Sequence, residues 1–356
     1  MLKVRGEIMN ELYIVTGGNG HLGNTIIRAL RDQGKVVRAL ILKNDSTTLL
    51  ESLGCEIIKG DIRDEQTLEL LLDSKASLTI IHTAGIVSIA QKKNHLLYDV
   101  NVNGTKKLVD LATKKQVHRF IYVSSVHAIP EKDNEELIQE IDTFDPNLVV
   151  DSYAKSKAIA TQYVLDHVKL GLNAIIVHPS GIIGPNDYGK AHMTMMIEEY
   201  LNGYLSSRVD GAYDFVDVRD VSLGIISAIN HGVVGECYIL SGKRIELKEM
   251  FLTLKKLAGK RYHIHVLPFW FAKISAPLAE IYYRMRKLPP IYTKYSLYTL
   301  RTNSNFSHDK ATQKWGYTPR SLEETLRDTV LFLSEMKRIK RKRVLNWIKT
   351  YQPIKQ

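Results

Sequence analysis

Through its first half the chain alternates short apolar runs with amphipathic stretches. Leu12-Tyr-Ile-Val15, Val36 to Leu42, Glu56-Ile-Ile-Lys59, Leu78-Thr-Ile-Ile81, Arg119-Phe-Ile-Tyr-Val123 and Ala174-Ile-Ile-Val177 predict strands. Between them, Thr25–Gln33 (closed by Gly34), a stretch running through Leu53, Glu65–Leu72, Leu96–Lys115 and Tyr153–Lys169 carry helical spacing. Strands that are apolar throughout, each followed by a helix, predict a parallel sheet covered on both faces, a doubly wound α/β fold. After Pro179 the rhythm breaks into shorter elements and a cluster of Tyr and Pro from Leu267 to Tyr298. That change predicts a large domain over residues 9–180, a smaller lobe over 181–335 and a tail over 336–356. Phe215 to Asn230 and Cys237 to Leu240 read as further pieces of the main sheet, so the lobes should interleave.

Composition changes this picture little. With 356 residues and 44% hydrophobic content the chain can bury a full core. Cys55 and Cys237 are far apart and lack metal or redox spacing, which fits a reducing, cytoplasmic setting. Met1 to Glu7 carries no signal-like apolar run, and residues 1–8 read as an extension ahead of Met9. Charge is uneven. Of the net +11, residues 331–356 supply +7, with eight Lys/Arg against one acid, centred on Lys337 to Arg343. Such a run is either a solvated helix end or a weak anchor to an anionic membrane surface, helped by Trp347 and Ile348. Nothing predicts a specific nucleic-acid partner, and no apolar stretch is long enough to span a bilayer.

Chemistry enters at two places. Thr16-Gly-Gly-Asn-Gly-His-Leu-Gly23 follows a predicted strand and opens a predicted helix. Glycines there let backbone N–H groups approach a pyrophosphate, so Gly17, Asn19, Gly20, His21, Leu22 and Gly23 should hold a dinucleotide in a Rossmann-type domain. The first polar residue after the second strand is Lys43, with Asp45 two further on; the basic group favours NADP over NAD. Farther on, Tyr153 and Lys157 lie four residues apart on one helix face. A fixed ammonium should stabilise the phenolate and depress the tyrosine pKa. Ser124 and Ser125, at the carboxyl end of a strand, offer a hydroxyl to polarise a substrate carbonyl.

Together these motifs resemble the extended short-chain dehydrogenase/reductase family, in its branch of dihydroflavonol reductases and 3-beta-hydroxysteroid dehydrogenases. The likeness runs from about Leu12 to Leu333. It implies that Asp61 and Ile62, in Gly60-Asp-Ile-Arg-Asp, meet the adenine, and that Ala84 and Gly85 lie beneath the cofactor. It also implies that Asn101-Val-Asn-Gly-Thr105 braces the sheet and that Pro179 lines the nicotinamide. Ser125, Tyr153 and Lys157 become the catalytic set, and Ser125, His127 and Tyr153 the residues nearest substrate. His127 also suits a packed position. Leu42 stands where NADP-using members often carry Arg, and Lys43 takes its place.

The resemblance implies an NAD(P)-dependent oxidoreductase acting on a moderately apolar carbonyl or secondary alcohol, with a homodimer formed through the Leu96–Lys115 and Tyr153–Lys169 helices. A nucleotide-sugar epimerase or dehydratase with tightly held NAD is the alternative; Arg208, Lys243 and Arg284 would then grip phosphate. A non-catalytic dinucleotide sensor is a third reading, opposed by the intact Ser125, Tyr153 and Lys157. His263-x-His265 has no completing ligand, so no metal is expected. Asp217 and Asp220, on either side of Arg219, read as ion-pair partners, and the aromatics from Phe269 to Tyr298 as pocket lining or core.

Overall fold

The computed structural model describes residues 10–87, 95–133, 136–189, 191–205, 207–258, 264–285 and 293–339. Residues 1–8, His263 and the tail from residue 340 on lie outside them. Seven parallel strands form the main sheet in the spatial order Cys237–Leu240, Ala174–Pro179, Arg119–Val123, Ser77–His82, Glu11–Thr16, Val36–Ile41, Glu56–Lys59. Along one strand the side chains divide between two cores. Leu12 and Ile14 join Leu68, Leu108, Val109 and Val164, whereas Tyr13 and Val15 join Ile26, Ile27, Val221 and Ile225. Burial on both faces is why these strands are apolar throughout rather than alternating.

Strand order reverses between Glu11–Thr16 and Ser77–His82. At such a reversal the neighbouring crossovers leave in opposite directions, opening a crevice at the carboxyl ends. The predicted Leu96–Lys115 helix runs from His95 to Lys114, but Asp99–Gly104 is wound as a π-turn. The wide turn turns Asn101 inward, where it is buried.

Cys237–Leu240 is an edge strand of the main sheet, as its apolar run suggests. Phe215 belongs elsewhere. It lies in Ala212–Asp217, the centre of a separate three-stranded sheet with Gly181–Ile183 and Lys243–Glu246. Only the following helix, Val218–His231, returns to cover the main sheet, packing on the His21–Asp32 helix. A third core, with Tyr200, Met250, Leu254, Val330 and Leu333, holds the smaller lobe together.

The junction is fastened by ions. Asp217 caps the Val218–His231 helix through the Arg219 N–H and takes the Arg219 guanidinium in a fork at 2.8 and 3.0 Å. Arg219 continues to Asp328 at 2.7 Å, and Arg320 reaches Asp220 at 2.8 Å. Asp217 pairs with Arg219 as the sequence suggests, but Asp220 does not: its partner is Arg320, 100 residues away. The Asp217 side chain is fully buried, so Asp217→Ala leaves an N-terminal N–H bare and the Arg219 guanidinium held by Asp328 alone. We expect a loss of about 1–3 kcal/mol in urea unfolding, with Arg219→Met at least as damaging because it strands the buried carboxylate; equal stability of Asp217→Ala and wild type would refute the fastening role.

Candidate active site

The glycine turn is held by the neighbouring strand. The N–H groups of Gly17 and Gly18 both donate to the Leu40 carbonyl, at 3.0 and 3.1 Å, and Gly20 N–H donates to Gly17 O at 2.9 Å. Gly17 has φ +73°, a left-handed conformation that glycine adopts without strain. The His21–Asp32 helix then begins with no side-chain cap and no acid in its first turn. Its leading N–H groups are thus directed, uncapped, at the crevice. A Cβ at Gly17 would lie 3.0 Å from the Ala84 backbone, and one at Gly23 only 2.2 Å from Gly17 O. The cradle therefore fits a pyrophosphate brought close to bare backbone.

Side chains around the turn serve to fix it. Asn19 donates to Ser46 O at 2.8 Å and His21 bonds Pro185 O at 2.7 Å. Burial holds the His21 pKa below its ordinary value, so the ring is neutral at physiological pH. Asn24, which sequence reasoning passed over, bonds Gly20 O and Asn186 O at 2.7 and 3.0 Å, tying the turn to the loop after Pro179. Leu22 is partly buried and packs against the core.

At the adenosine end, Lys43 is exposed just past the Val36–Ile41 strand. Asp61 takes the Arg63 guanidinium in a fork at 2.9 and 2.7 Å. Arg63 holds the Asp61 carboxyl below the usual range, and the charge of Lys43 adds to this. The two cations therefore share one side of the crevice with Asp61. Arg63 lies two residues after Asp61 in the quoted motif; its basic side chain was the available signal. Ile62 is buried, and a Cβ on Gly104 would meet it at 2.7 Å, so its side chain is packing.

Beneath the crevice runs a buried polar chain. Thr16 Oγ1 bonds His82 Nδ1 at 2.8 Å, and His82 Nε2 bonds Thr105 Oγ1 at 2.9 Å. Burial first, then the charge of Lys157, drives His82 to about 3, so it is neutral. Ala84 N–H donates to Thr16 Oγ1 at 3.1 Å. Asn101 clamps Ile86 through two bonds, at 2.7 and 3.0 Å, and donates to Ser156 Oγ at 3.1 Å. Gly85 faces this bridge: a Cβ there would stand 3.3 Å from Asn101 Oδ1 and 3.7 Å from Lys157 Nζ.

The two serines divide their work. Ser124 Oγ bonds Thr161 Oγ1 at 2.7 Å inside the core. Ser125 Oγ accepts the His127 N–H at 3.3 Å and shares a hydrogen bond with the Tyr153 hydroxyl. Tyr153 sits in the first turn of the Ser152–Val168 helix, which Asp151 caps by accepting the Ala154 N–H. One turn later Lys157 Nζ donates to Val123 O at 2.9 Å and stands 5.2 Å from the Tyr122 ring centre. The sequence-predicted triad therefore converges at the end of the Arg119–Val123 strand.

Its electrostatics differ from expectation. Burial pushes Tyr153 up to about 12, with the Ser125 bond opposing and the charge of Asp151 adding. Burial also pushes Lys157 down to about 8. The depressed tyrosine predicted from the helical spacing is absent, because the ammonium is engaged by the Val123 carbonyl and the phenol is desolvated. At neutral pH the site holds a protonated phenol.

His127 lies between two tyrosines brought from the smaller lobe. Its Nε2 bonds Tyr213 Oη at 2.9 Å and its Nδ1 bonds Tyr295 Oη at 3.1 Å; its ring meets Tyr153 edge-on at 6.0 Å. Tyr295 also donates to Asp151. Burial lowers His127 to about 4 and raises both tyrosines, so the cluster is uncharged. Beside it opens a mixed cavity lined by Ile129, Val149 and Phe306 and by Glu131, Thr299, Thr302 and Asn303 as well as this cluster. Pro179 ends its strand next to His178, whose Nδ1 bonds Ser125 O at 2.9 Å and whose ring stacks on Phe144. Among the described residues no group of three His, Cys, Asp or Glu is placed to hold a metal.

A nucleotide cradle at a strand-order reversal, with a Ser–Tyr–Lys set at its far end, defines an enzyme of dinucleotide-dependent oxidoreduction. The chain belongs to the NAD dependent epimerase/dehydratase family, whose model matches residues 13–241. It is 29% identical over 329 residues to sterol demethylase protein B of Methylococcus capsulatus, covering 90% of this chain and 98% of that protein. It is 26% identical over 318 residues to the 4-hydroxy-2-methyl-3-oxo-4-farnesyl-3,4-dihydroquinoline-1-oxide ketoreductase of Stigmatella aurantiaca, covering 86% and 91%. Among solved structures, gox2253 superposes with a TM-score of 0.80 at 28% identity, covering 93% and 100%. No helix among the described residues is long and apolar enough to cross a membrane.

Proposed function

We propose that this enzyme interconverts an apolar ketone or aldehyde and its secondary alcohol, with Ser125, Tyr153 and Lys157 as the catalytic set and NADP preferred. The observation that carries the reading is the convergence of the Ser125 and Tyr153 hydroxyls on one point, with Lys157 one turn behind. The cradle from Gly17 to Gly23, Lys43, Asp61 and the Ala84–Gly85 strand end would hold the dinucleotide, which when bound supplies or accepts a hydride. The residues manage the oxygen. In reduction, Ser125 donates a hydrogen bond to the carbonyl oxygen and orients it. Tyr153 gives up its O–H proton to that oxygen as the carbon is reduced, leaving a phenolate. Lys157, one turn along the same helix, would offset the charge of that phenolate.

The neutral His127, Tyr213 and Tyr295 and the apolar Val126, Ile129, Val149 and Phe306 on the same cavity suit an uncharged substrate, with Thr302 and Asn303 there to bond its polar groups. Relatives named for a sterol and for a farnesylated quinoline ketone support the same class. An epimerase would need cations for a sugar diphosphate, yet Arg208 is already paired with Asp210. Oxidation of NADPH at 340 nm with apolar ketones, compared with nucleotide sugars, tests the reading; product formed only from the latter would refute it.

Lys43 gives the cofactor prediction. Placed beside Asp61 and Arg63, it would meet a 2′-phosphate. In Lys43→Glu we expect the NADPH/NADH ratio of kcat/KM to fall about tenfold, roughly 1.4 kcal/mol. An unchanged ratio would remove Lys43 from cofactor selection.

A further inference from the structure

One helix of the smaller lobe presents an apolar face to solvent. In Phe269–Met285, Trp270, Phe271, Ile274, Leu278, Ile281 and Met285 are all exposed, Trp270 by 66%, Ile274 by 69% and Met285 by 80%. At ~100° per residue these positions fall within an arc of about 100°. Ala272 and Ala276 point the opposite way and are fully buried against Leu297 and Val209. Small residues on the inner face let the helix lie close to the lobe, with Phe269 packing there at its start, while Trp270, Phe271, Ile274, Leu278, Ile281 and Met285 stand outside. Val266, exposed just before the helix start, extends the patch.

Large contiguous apolar surface on a soluble fold marks a binding face. The surrounding charge says for what. Residues 264–294 contain five Lys/Arg and one acid, and residues 331–356 eight against one. The basic tail leaves the described chain beside Asn202, which bonds Arg338 O at 3.0 Å; Asn202 stands only five residues before the strand Ser207–Arg208 that pairs with His265–Val266 at the helix entrance. Basic segments at both places would repel a second copy of the same face but attract an anionic bilayer. An amphipathic helix of this kind lies in the plane of the headgroups, with Trp and Phe at the acyl boundary.

We propose that the Phe269–Met285 helix docks this enzyme onto an anionic lipid surface, inserting its outer stripe while the basic tail adds attraction. The same helix packs through Ala272 and Ala276 on Leu297, two residues from Tyr295 of the active site. Docking would therefore bring the substrate cavity to the bilayer, the phase from which an apolar substrate arrives. Only this last link rests on the function proposed above; the docking stands apart from it.

The test is flotation of the full chain with vesicles of phosphatidylcholine, with and without phosphatidylserine. Wild type should float with the anionic vesicles and release as salt rises. Trp270→Glu/Ile274→Glu/Leu278→Glu should partition about tenfold less or worse, while keeping the wild-type melting temperature and NADPH binding. Flotation of this variant like wild type would overturn the proposal, leaving the tail as sole anchor. Equal absence of wild type from both vesicle types would also overturn it. So would a wild-type dimer in sedimentation equilibrium that the triple variant splits, since the face would then be covered by a second copy. A Tyr153→Phe protein should float normally, so failure of the catalytic reading would leave this result untouched.

Discussion

Tyr153→Phe should lower carbonyl reduction by about 10²–10⁴-fold, the usual worth of a positioned general acid, while NADPH binding stays within a fewfold. The substitution deletes one oxygen, which interacts with the Ser125 hydroxyl. The ring remains packed against His127, so the fold has little reason to move. Loss of rate without loss of binding is the signature of an interaction used in the transition state. The pH profile adds a second constraint. With Tyr153 pushed up to about 12, the proton to be donated is present across neutral pH. Reductive kcat/KM should therefore be flat on the acid side and decline only in alkali, where Lys157, at about 8, discharges before the phenol ionises. Alcohol oxidation needs the phenolate as base and should instead rise with pH. A reductive profile that collapses below pH 7, or a Tyr153→Phe enzyme with wild-type turnover, would remove Tyr153 as the acid.

The parts of this site legible in the sequence are those made by neighbours in the chain. Gly17 to Gly23 form one turn, and Tyr153 and Lys157 share one helix face, so spacing alone brings their groups together. The main strands were equally legible, because burial on both faces leaves an uninterrupted apolar signature in residues such as Ile14, Val15, Ile80 and Ile81. What spacing does not carry is environment. The tyrosine pKa depends on how deeply the phenol is buried and on which carbonyl holds the ammonium, neither of which is encoded in a four-residue interval. Nor does spacing carry contacts across the lobes. Tyr213 and Tyr295 reach His127 from 86 and 168 residues away; the sequence marks the stretch around Tyr295 as aromatic without indicating where it meets His127. Phe215 illustrates a third limit. Its strand has the same apolar character as the main-sheet strands, yet it pairs in a second sheet, because pairing partner is a property of topology rather than of residue type.

Gly23→Ala should abolish detectable dinucleotide binding, weakening it by at least about 100-fold, or ~2.7 kcal/mol. The reason is a single distance: the added methyl would stand 2.2 Å from the Gly17 carbonyl oxygen, well inside contact. Neither side can yield cheaply. Gly23 lies in the first turn of the His21–Asp32 helix, and Gly17 is pinned by its bond to Leu40 O and by the Ala84 backbone 3.0 Å from its own Cβ direction. Relief requires the helix start to move away from the turn, which pulls apart the N–H groups that should meet phosphate. Overpacking of this kind also costs about 1–3 kcal/mol of stability, so binding must be separated from folding. Gly34 provides that control. It has a φ of +73°, as Gly17 does, but nothing within 4 Å of a Cβ, at the far end of the helix that holds Gly23. Gly34→Ala should cost about 1 kcal/mol through backbone strain alone, with NADPH titration unchanged from wild type. If both variants bound the cofactor equally well at matched folded fractions, the turn would be a structural feature rather than the phosphate site. If only Gly23→Ala failed, close backbone approach at the helix N-terminus is what the dinucleotide requires.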